Sequence, residues 1–173
     1  MRSLIPSMSS IYSFAPIENK EARILILGSM PGEASLRAGE YYAHTRNHFW
    51  RVMRALLSID AEASYAQRVK AINASGIAVW DVLRSCKREG SLDSNIDKGS
   101  QVPNDFQSFF KQHYGITHVY FNGSAAEQIF KKRVLPDLKT PPMEYLRLPS
   151  TSPAHAALSF EQKLDAWKRI LQA

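Results

Sequence analysis

The chain has 173 residues, 45% of them hydrophobic, which is the size and composition of one globular domain. Its 22 Lys and Arg against 16 Asp and Glu give a formal charge of +6, which suits a polyanionic partner without proving one. The single cysteine, Cys86, excludes an intrachain disulfide, a four-cysteine zinc site and an all-cysteine iron–sulfur cluster. No stretch of about 18 apolar residues and no cleavable apolar leader occur, so we expect a reducing, cytoplasmic setting without membrane insertion.

The hydrophobic pattern predicts an α/β fold built as one domain over residues 22–173, preceded by an irregular N-terminal arm over 1–21. Buried strands are predicted at 23–27 (ending at Gly28), 77–80, 116–121 and 144–148. Helices are predicted from Phe49 onward, at 64–74, 104–113 and 124–133, and from the capping box at Ser159 with Phe160, Leu164, Trp167 and Leu171 on one face. This alternation favours a three-layer sandwich in which helices flank a central four-stranded, largely parallel sheet.

In such a sheet ligands bind at the carboxyl ends of the strands. Gly28, Asp81, Asn122 and Pro149 all follow predicted strands at that end, so the loops that begin there should converge on one site. The polar segment 84–102 is interpreted as a long surface loop.

Three basic residues of that segment, Arg84, Lys87 and Arg88, would either extend a basic surface or be merely solvated. Cys86 beside two of them suggests a thiol with a lowered pKa, but the sequence offers it no partner base.

The turn Gly28-Ser29-Met30-Pro31-Gly32 directly follows the first strand, where glycines let the backbone approach a ligand closely. The alternative is an ordinary strand-to-loop turn, and the motif matches neither GxGxxG nor a phosphate-binding loop.

The next segment, 41–50, combines aromatic side chains with Arg46 and Asn47. Aromatics there can stack on bases and Arg46 can meet a phosphate, whereas Phe49 and Trp50 are better explained as core residues of the following helix. Asn47 could instead cap that helix. Two histidines four residues apart lack a third ligand, so we expect no metal.

Five blocks in order, GSMPG, YYAHTRNHFW, GIAVWDVL with RSCKREGSLDSNI, VYFNGSAAEQIF and LPSTSPAHA, resemble the uracil-DNA glycosylase superfamily, and in detail its hypoxanthine-DNA glycosylase branch, family six. The resemblance implies a four-stranded parallel sheet between helices. It also implies hydrolysis of the N-glycosidic bond of a base flipped out of DNA, through an oxocarbenium-like state.

The resemblance implies roles for individual residues. Mismatch-specific relatives read GINPG, so Met30 stands in place of their water-holding Asn, and Asn47 takes that catalytic role in the branch resembled. Tyr42 falls where relatives stack an aromatic on the base. Asp81 stands where uracil-specific relatives have Asn, and we hypothesise that it accepts the N1–H of hypoxanthine while Asn122 donates to O6. The alternative for Asp81 is a buried, capped carboxylate that binds no ligand, and the alternative for Asn122 is a residue that only forms the turn before Gly123.

The last block departs from relatives that read HPSPLS, because Ser150 occupies the place of their catalytic histidine. His155 is shifted from that place and acts either directly or as a DNA contact. Ala154 stands where an intercalating leucine often sits. We expect contacts to DNA from Arg46, Ser150, Ser152, Pro153, Ala154 and His155.

The sequence therefore favours a monofunctional, monomeric DNA glycosylase of base-excision repair that uses no cofactor and acts on hypoxanthine, with uracil as a second base. No lysine matches a catalytic position, so no Schiff-base step is expected. The alternative is a catalytically silent nucleic-acid-binding module on the same fold. A small-molecule hydrolase is disfavoured by the absence of GxSxG.

Overall fold

The computed structural model describes residues 8–173; residues 1–7, the beginning of the predicted arm, lie outside the described part. In chain order the elements are β1 (Ser10–Tyr12), β2 (Ile24–Gly28), α1 (Glu33–Ala38), α2 (Phe49–Leu57), α3 (Tyr65–Ala74), β3 (Ile77–Asp81), β4 (Leu83–Lys87), β5 (Val102–Pro103), α4 (Phe106–Gln112), β6 (His118–Asn122), α5 (Ser124–Arg133), β7 (Glu144–Leu148) and α6 (Phe160–Trp167). Short 3-10 turns cover Asp93–Asn95, Lys98–Ser100, Leu135–Asp137 and Lys168–Gln172.

The central sheet has four strands in the order β3-β2-β6-β7, and all neighbouring pairs are parallel. Every residue of β2 and β3 is buried, as expected for strands covered on both faces. Successive side chains of a strand point to opposite faces, so Ile24 and Ile26 join one core cluster while Leu25 and Leu27 join the other.

Helices cover both faces of this sheet. Phe49 and Met53 of α2 and Trp167 of α6 pack on one face. Phe106 of α4 and Phe130 of α5 pack on the other. The predicted three-layer α/β sandwich with a four-stranded parallel sheet is therefore confirmed.

The predicted bounds of several elements are confirmed, among them the strand 144–148 and the helix 124–133. The capping box at Ser159 is present as predicted. Leu171 was predicted on the buried face of the last helix, and this is wrong, because its exposed fraction is 54%. The α-helix ends at Trp167 and continues as a 3-10 turn, and the tighter winding rotates Leu171 out of the apolar stripe.

The segment 84–102 was predicted as a long surface loop, and this is wrong at its two ends, because residues 84–87 and Val102 belong to a second sheet in which β4 lies between β1 and β5. β1 also shows that the described part of the N-terminal arm is not wholly irregular. The hydrophobic pattern did not reveal this small sheet because it buries few side chains, chiefly Leu83 and Cys86 against Met30. Antiparallel backbone hydrogen bonds, which any residue can make, hold its strands together.

Candidate active site

A cavity opens at the carboxyl ends of β2, β3 and β6. All of the residues predicted to bind substrate line it, from the turn 28–32 to Tyr42, Asp81 and Asn122, and so does Asn47. Ser150, Ser152 and Pro153, predicted to contact DNA, also line it. The convergence expected for loops at this end of a parallel sheet is thus seen in the fold.

Three residues predicted to contact DNA do not line the cavity. Arg46 and Ala154 are exposed, and His155 is half-buried. They lie in the same two loops as the lining residues, so they are placed for contacts outside the cavity rather than in it.

Gly28 lies at the most crowded point of the cavity. A Cβ atom added there would be 2.6 Å from Asp81 Oδ1 and 3.0 Å from the Tyr42 hydroxyl oxygen. Gly28 and Asp81 are paired at the ends of β2 and β3, which fixes this approach. Glycine is therefore required at this position by space rather than by backbone conformation.

The Asp81 carboxyl is buried, with an exposed fraction of 3% for the residue, and its Oδ2 atom has no hydrogen-bond partner among the described residues. Burial, and to a lesser extent the charge of Asp93, raise the pKa of Asp81 to about 7 against the opposing effect of Arg88. A buried, unpaired carboxyl facing a cavity is a feature of functional sites.

Tyr42 closes the cavity beside Gly28. Its backbone φ is 55°, a conformation that only a few per cent of non-glycine residues adopt. Its ring stacks on Phe49 with centroids 4.0 Å apart, and its hydroxyl is buried. Burial raises the pKa of Tyr42, and Asp81 adds to the effect, so this phenol is neutral. Phe49 covers one ring face, as expected of a core residue.

Asn47 makes a local bond before α2, whose N-cap is His48, and also lines the cavity. Its Oδ1 accepts the Phe49 N–H at 2.9 Å, which closes a turn at the start of α2. A carbonyl oxygen has two lone pairs, so this bond leaves one acceptor site on Oδ1.

Asn122 connects the end of β6 to the loop that follows β7. Its Nδ2 donates to Thr151 Oγ1 at 2.9 Å, and its Oδ1 accepts the Thr151 N–H at 2.9 Å. Thr151 is fully buried, and its carbonyl oxygen accepts the His48 N–H. These bonds fix the loop 149–153 against the segment that carries Asn47.

Sequence reasoning missed two residues on the side of the cavity that holds Ser29: Asp93, which lines the cavity, and Arg88, which supports the turn 28–32. Ser29 Oγ donates to Asp93 Oδ1 at 2.5 Å. Arg88 Nη2 donates to the Pro31 carbonyl oxygen at 2.6 Å, and Nε donates to the Gly90 carbonyl oxygen at 2.8 Å. Asp93 and Arg88 lie in the block RSCKREGSLDSNI of the polar segment 84–102, but the resemblance assigns neither a role and no periodicity distinguishes them from solvated charges.

Two expectations for this segment are wrong. Arg88 is not part of an exposed basic surface, because its exposed fraction is 6% and its guanidinium is bonded to backbone. Burial raises the pKa of the Cys86 thiol, so the lowered pKa suggested by the neighbouring cations is contradicted. Cys86 instead packs in the small core beside Met30 and Leu83.

Among residues 8–173, no group of three or more His, Cys, Asp and Glu side chains is placed to hold a metal ion. In the same part of the chain, no helix has the length and apolar character needed to cross a membrane.

The model of the Uracil DNA glycosylase superfamily matches residues 15–172, which include the whole central sheet and every residue that lines the cavity. The chain therefore belongs to the uracil DNA glycosylase superfamily and is a DNA glycosylase.

Individual relatives are similar over most of the chain. A protein of Methanosarcina barkeri named hypoxanthine DNA glycosylase is 36% identical over 111 residues, covering 64% of this chain and 69% of that protein. A hypoxanthine DNA glycosylase of Methanosarcina acetivorans is 29% identical over 160 residues, covering 92% and 96%. The solution NMR structure of a Methanosarcina acetivorans protein, described as a candidate uracil DNA glycosylase, superposes with a TM-score of 0.76 at 28% identity, covering 95% of this chain and 100% of that one.

Proposed function

We propose that this glycosylase removes hypoxanthine from DNA, accepts uracil as a second deaminated base, and leaves an abasic site without a lyase step. The observation that carries the proposal is the meeting of Asn47, Tyr42 and Asp81 in one cavity. The relatives named hypoxanthine DNA glycosylase support the choice of base. We further propose that the enzyme acts as a monomer, without a cofactor, on DNA of the cytoplasm and nucleoid.

The reaction replaces the bond between the base and the anomeric carbon by a bond to water oxygen. The base must leave the duplex stack to enter the cavity, and it departs with the electron pair of the broken bond. Asn47 holds the attacking water through the remaining acceptor site of Oδ1. The bond from the Phe49 N–H fixes the orientation of this oxygen.

Asp81 and Asn122 read the hydrogen-bonding edge of the base. Asp81 accepts N1–H of hypoxanthine, and Asn122 has one N–H that is not used on Thr151 and can donate towards O6. Tyr42 supplies a flat wall for the base, held in place by the stack on Phe49. The turn 28–32, fixed by Arg88, closes the cavity on the far side.

The loop 149–155 and Arg46 hold the DNA around the flipped nucleotide. Ser150 Oγ accepts the Ser152 N–H, and Ser152 Oγ accepts the Ala154 N–H, both at 3.2 Å. Each hydroxyl keeps its proton for donation to a phosphate oxygen. Exposed Ala154 and half-buried His155 face the space left in the stack.

The test is an excision assay with EDTA, using duplexes that contain inosine or uracil, followed by alkali to cleave abasic sites. We expect product from inosine, and a loss of roughly a hundredfold or more in the single-turnover rate of Asn47→Ala. That variant also loses the turn at the start of α2, so its thermal unfolding must be measured.

Asn47→Ser is the matched control, because a serine hydroxyl can make the same kind of local turn bond to the Phe49 N–H but is too short to hold the water in the same place. Full activity in Asn47→Ser would assign Asn47 to the turn alone. Retardation of DNA by the wild-type protein without excision of either base would support the silent binding module instead.

A further inference from the structure

We propose that Asp81 acts as a neutral carboxylic acid that donates a hydrogen bond to the carbonyl oxygen of the departing base, and that Asp93, which lines the same cavity, is a positioning residue whose negative charge favours this neutral form. The inference rests on the proposed function and deepens it. It assigns a role to Asp93, to which the family resemblance gives none.

The surroundings of Asp81 disfavour its ionised form. The carboxyl is buried, Oδ1 packs against Gly28, and Oδ2 has no hydrogen-bond partner among the described residues. None of the ion pairs found among residues 8–173 involves Asp81. Burying a charge without a partner costs several kcal/mol, and a carboxyl in this position instead takes up a proton.

The titratable groups that face Asp81 come from three segments. Asp93, from the 3-10 turn after β4, adds a like charge, while Arg88 opposes it. Tyr41 and Tyr42 are neutral phenols, since burial raises the pKa of both. Asp93 is itself held towards the cavity by the Ser29 hydroxyl. Burial and the Asp93 charge together raise the pKa of Asp81 to about 7.

The protonation state decides what Asp81 can do for the reaction. A carboxylate only accepts hydrogen bonds, and it would repel O6 of hypoxanthine and the negative charge that grows on the leaving base. A carboxylic acid accepts N1–H through one oxygen and donates to O6 through the other. Such a neutral acid stabilises developing negative charge where it forms. It also adds a second donor to O6 beside the N–H of Asn122 that is not used on Thr151.

The experiment measures single-turnover excision of inosine by the full chain between about pH 5.5 and 9. We expect the wild-type rate to fall above pH 7, by up to about tenfold per pH unit, as Asp81 ionises. Asp93→Asn keeps an acceptor for Ser29 but removes the charge, so the pKa of Asp81 falls. The falling limb should move to lower pH, with the rate at pH 8 reduced several-fold and the rate at pH 5.5 within about twofold.

Asp81→Asn keeps both a donor and an acceptor but cannot ionise, so its rate should lose the falling limb. Asp97→Asn is the matched control, because Asp97 lies in the same segment and is exposed. Among the described residues its carboxylate accepts one hydrogen bond, from the Gly99 N–H. Its profile should match the wild type.

A ¹³C NMR titration of the Asp81 carboxyl gives a readout independent of activity. Its midpoint should lie near pH 7 and move down in Asp93→Asn. Either of two results overturns the inference even if inosine is excised at pH 6. The first is an NMR titration midpoint of Asp81 in the ordinary aspartate range, and the second is a pH–rate profile whose falling limb stays in place in Asp93→Asn. No excision at any pH overturns the proposed function and the inference with it.

Discussion

The cavity has two sides that are held in place by different kinds of interaction. On one side, which we call the charged wall, a buried guanidinium, Arg88, fixes the turn 28–32, and Asp93 bonds Ser29. On the other, the serine wall of residues 149–153, neutral hydrogen bonds fix the loop, chiefly those between Asn122 and Thr151.

This difference separates two tasks. Buried charges are expensive to leave unpaired but strongly affect nearby pKa values, so the charged wall can tune the group that meets the base. Hydroxyl-rich turns carry little charge of their own and can donate to phosphates, so the serine wall suits the DNA backbone. Removing a bond should therefore cost more stability in the charged wall than in the serine wall.

The largest effect is expected from Arg88→Met. Methionine keeps much of the apolar stem, but the carbonyl oxygens of Pro31 and Gly90 lose their charged donor while buried. The free energy of unfolding should fall by roughly 3 kcal/mol, and inosine excision should fall with it. Urea unfolding measures the first quantity.

The matched control is Arg84→Met, at an exposed position of β4, the strand that ends just before Arg88. Its unfolding free energy should stay within about 0.5 kcal/mol of the wild type. Equal losses in the two variants would mean that Arg88 does not fix the turn.

A smaller effect is expected from Gly28→Ala, which tests the contact between the charged wall and the sheet. The new Cβ would lie 2.6 Å from Asp81 Oδ1, so the carboxyl must shift, at a cost of roughly 2 kcal/mol. Excision should suffer more than stability, because the displaced group meets the base.

Gly32→Ala is the control, since its Cβ would meet only Ser91, at 3.4 Å for the nearest atom. It should keep most activity. Equal excision rates in Gly28→Ala and Gly32→Ala would show that the position of the Asp81 carboxyl does not matter for the reaction.

The smallest effect is expected from Thr151→Val in the serine wall. Valine removes the hydroxyl that accepts from Asn122 but leaves the backbone N–H bond in place. We expect a loss of about 1 kcal/mol in stability. If the displaced loop weakens DNA binding by the same amount, KM should rise roughly fivefold with kcat nearly unchanged.

Thr117→Val, at an exposed site near β6, serves as the control for removing a threonine hydroxyl. A large drop in kcat in Thr151→Val would show that the serine wall positions reacting groups as well as DNA.

The site was predictable where a residue stands next to a strong strand. Gly28, Asp81 and Asn122 end apolar strands, and parallel strands bring their carboxyl ends to one edge. Asn47 and Tyr42 were selected by their resemblance to a family block, and the fold brings both to that edge. Arg88 and Asp93 were not predictable, because a polar residue in an aperiodic segment looks the same whether it is solvated or folded inwards.

The sequence by itself determined the layers of this protein, the order of its strands and helices along the chain, and the edge of the sheet where the cavity opens. These follow from hydrophobic periodicity, which depends on local spacing. The tertiary structure alone decided that Arg88 is buried, that Asp93 faces Asp81, and that Asn122 is bonded to Thr151. Burial and charge pairing arise from contacts between segments distant in sequence, and no local pattern encodes them.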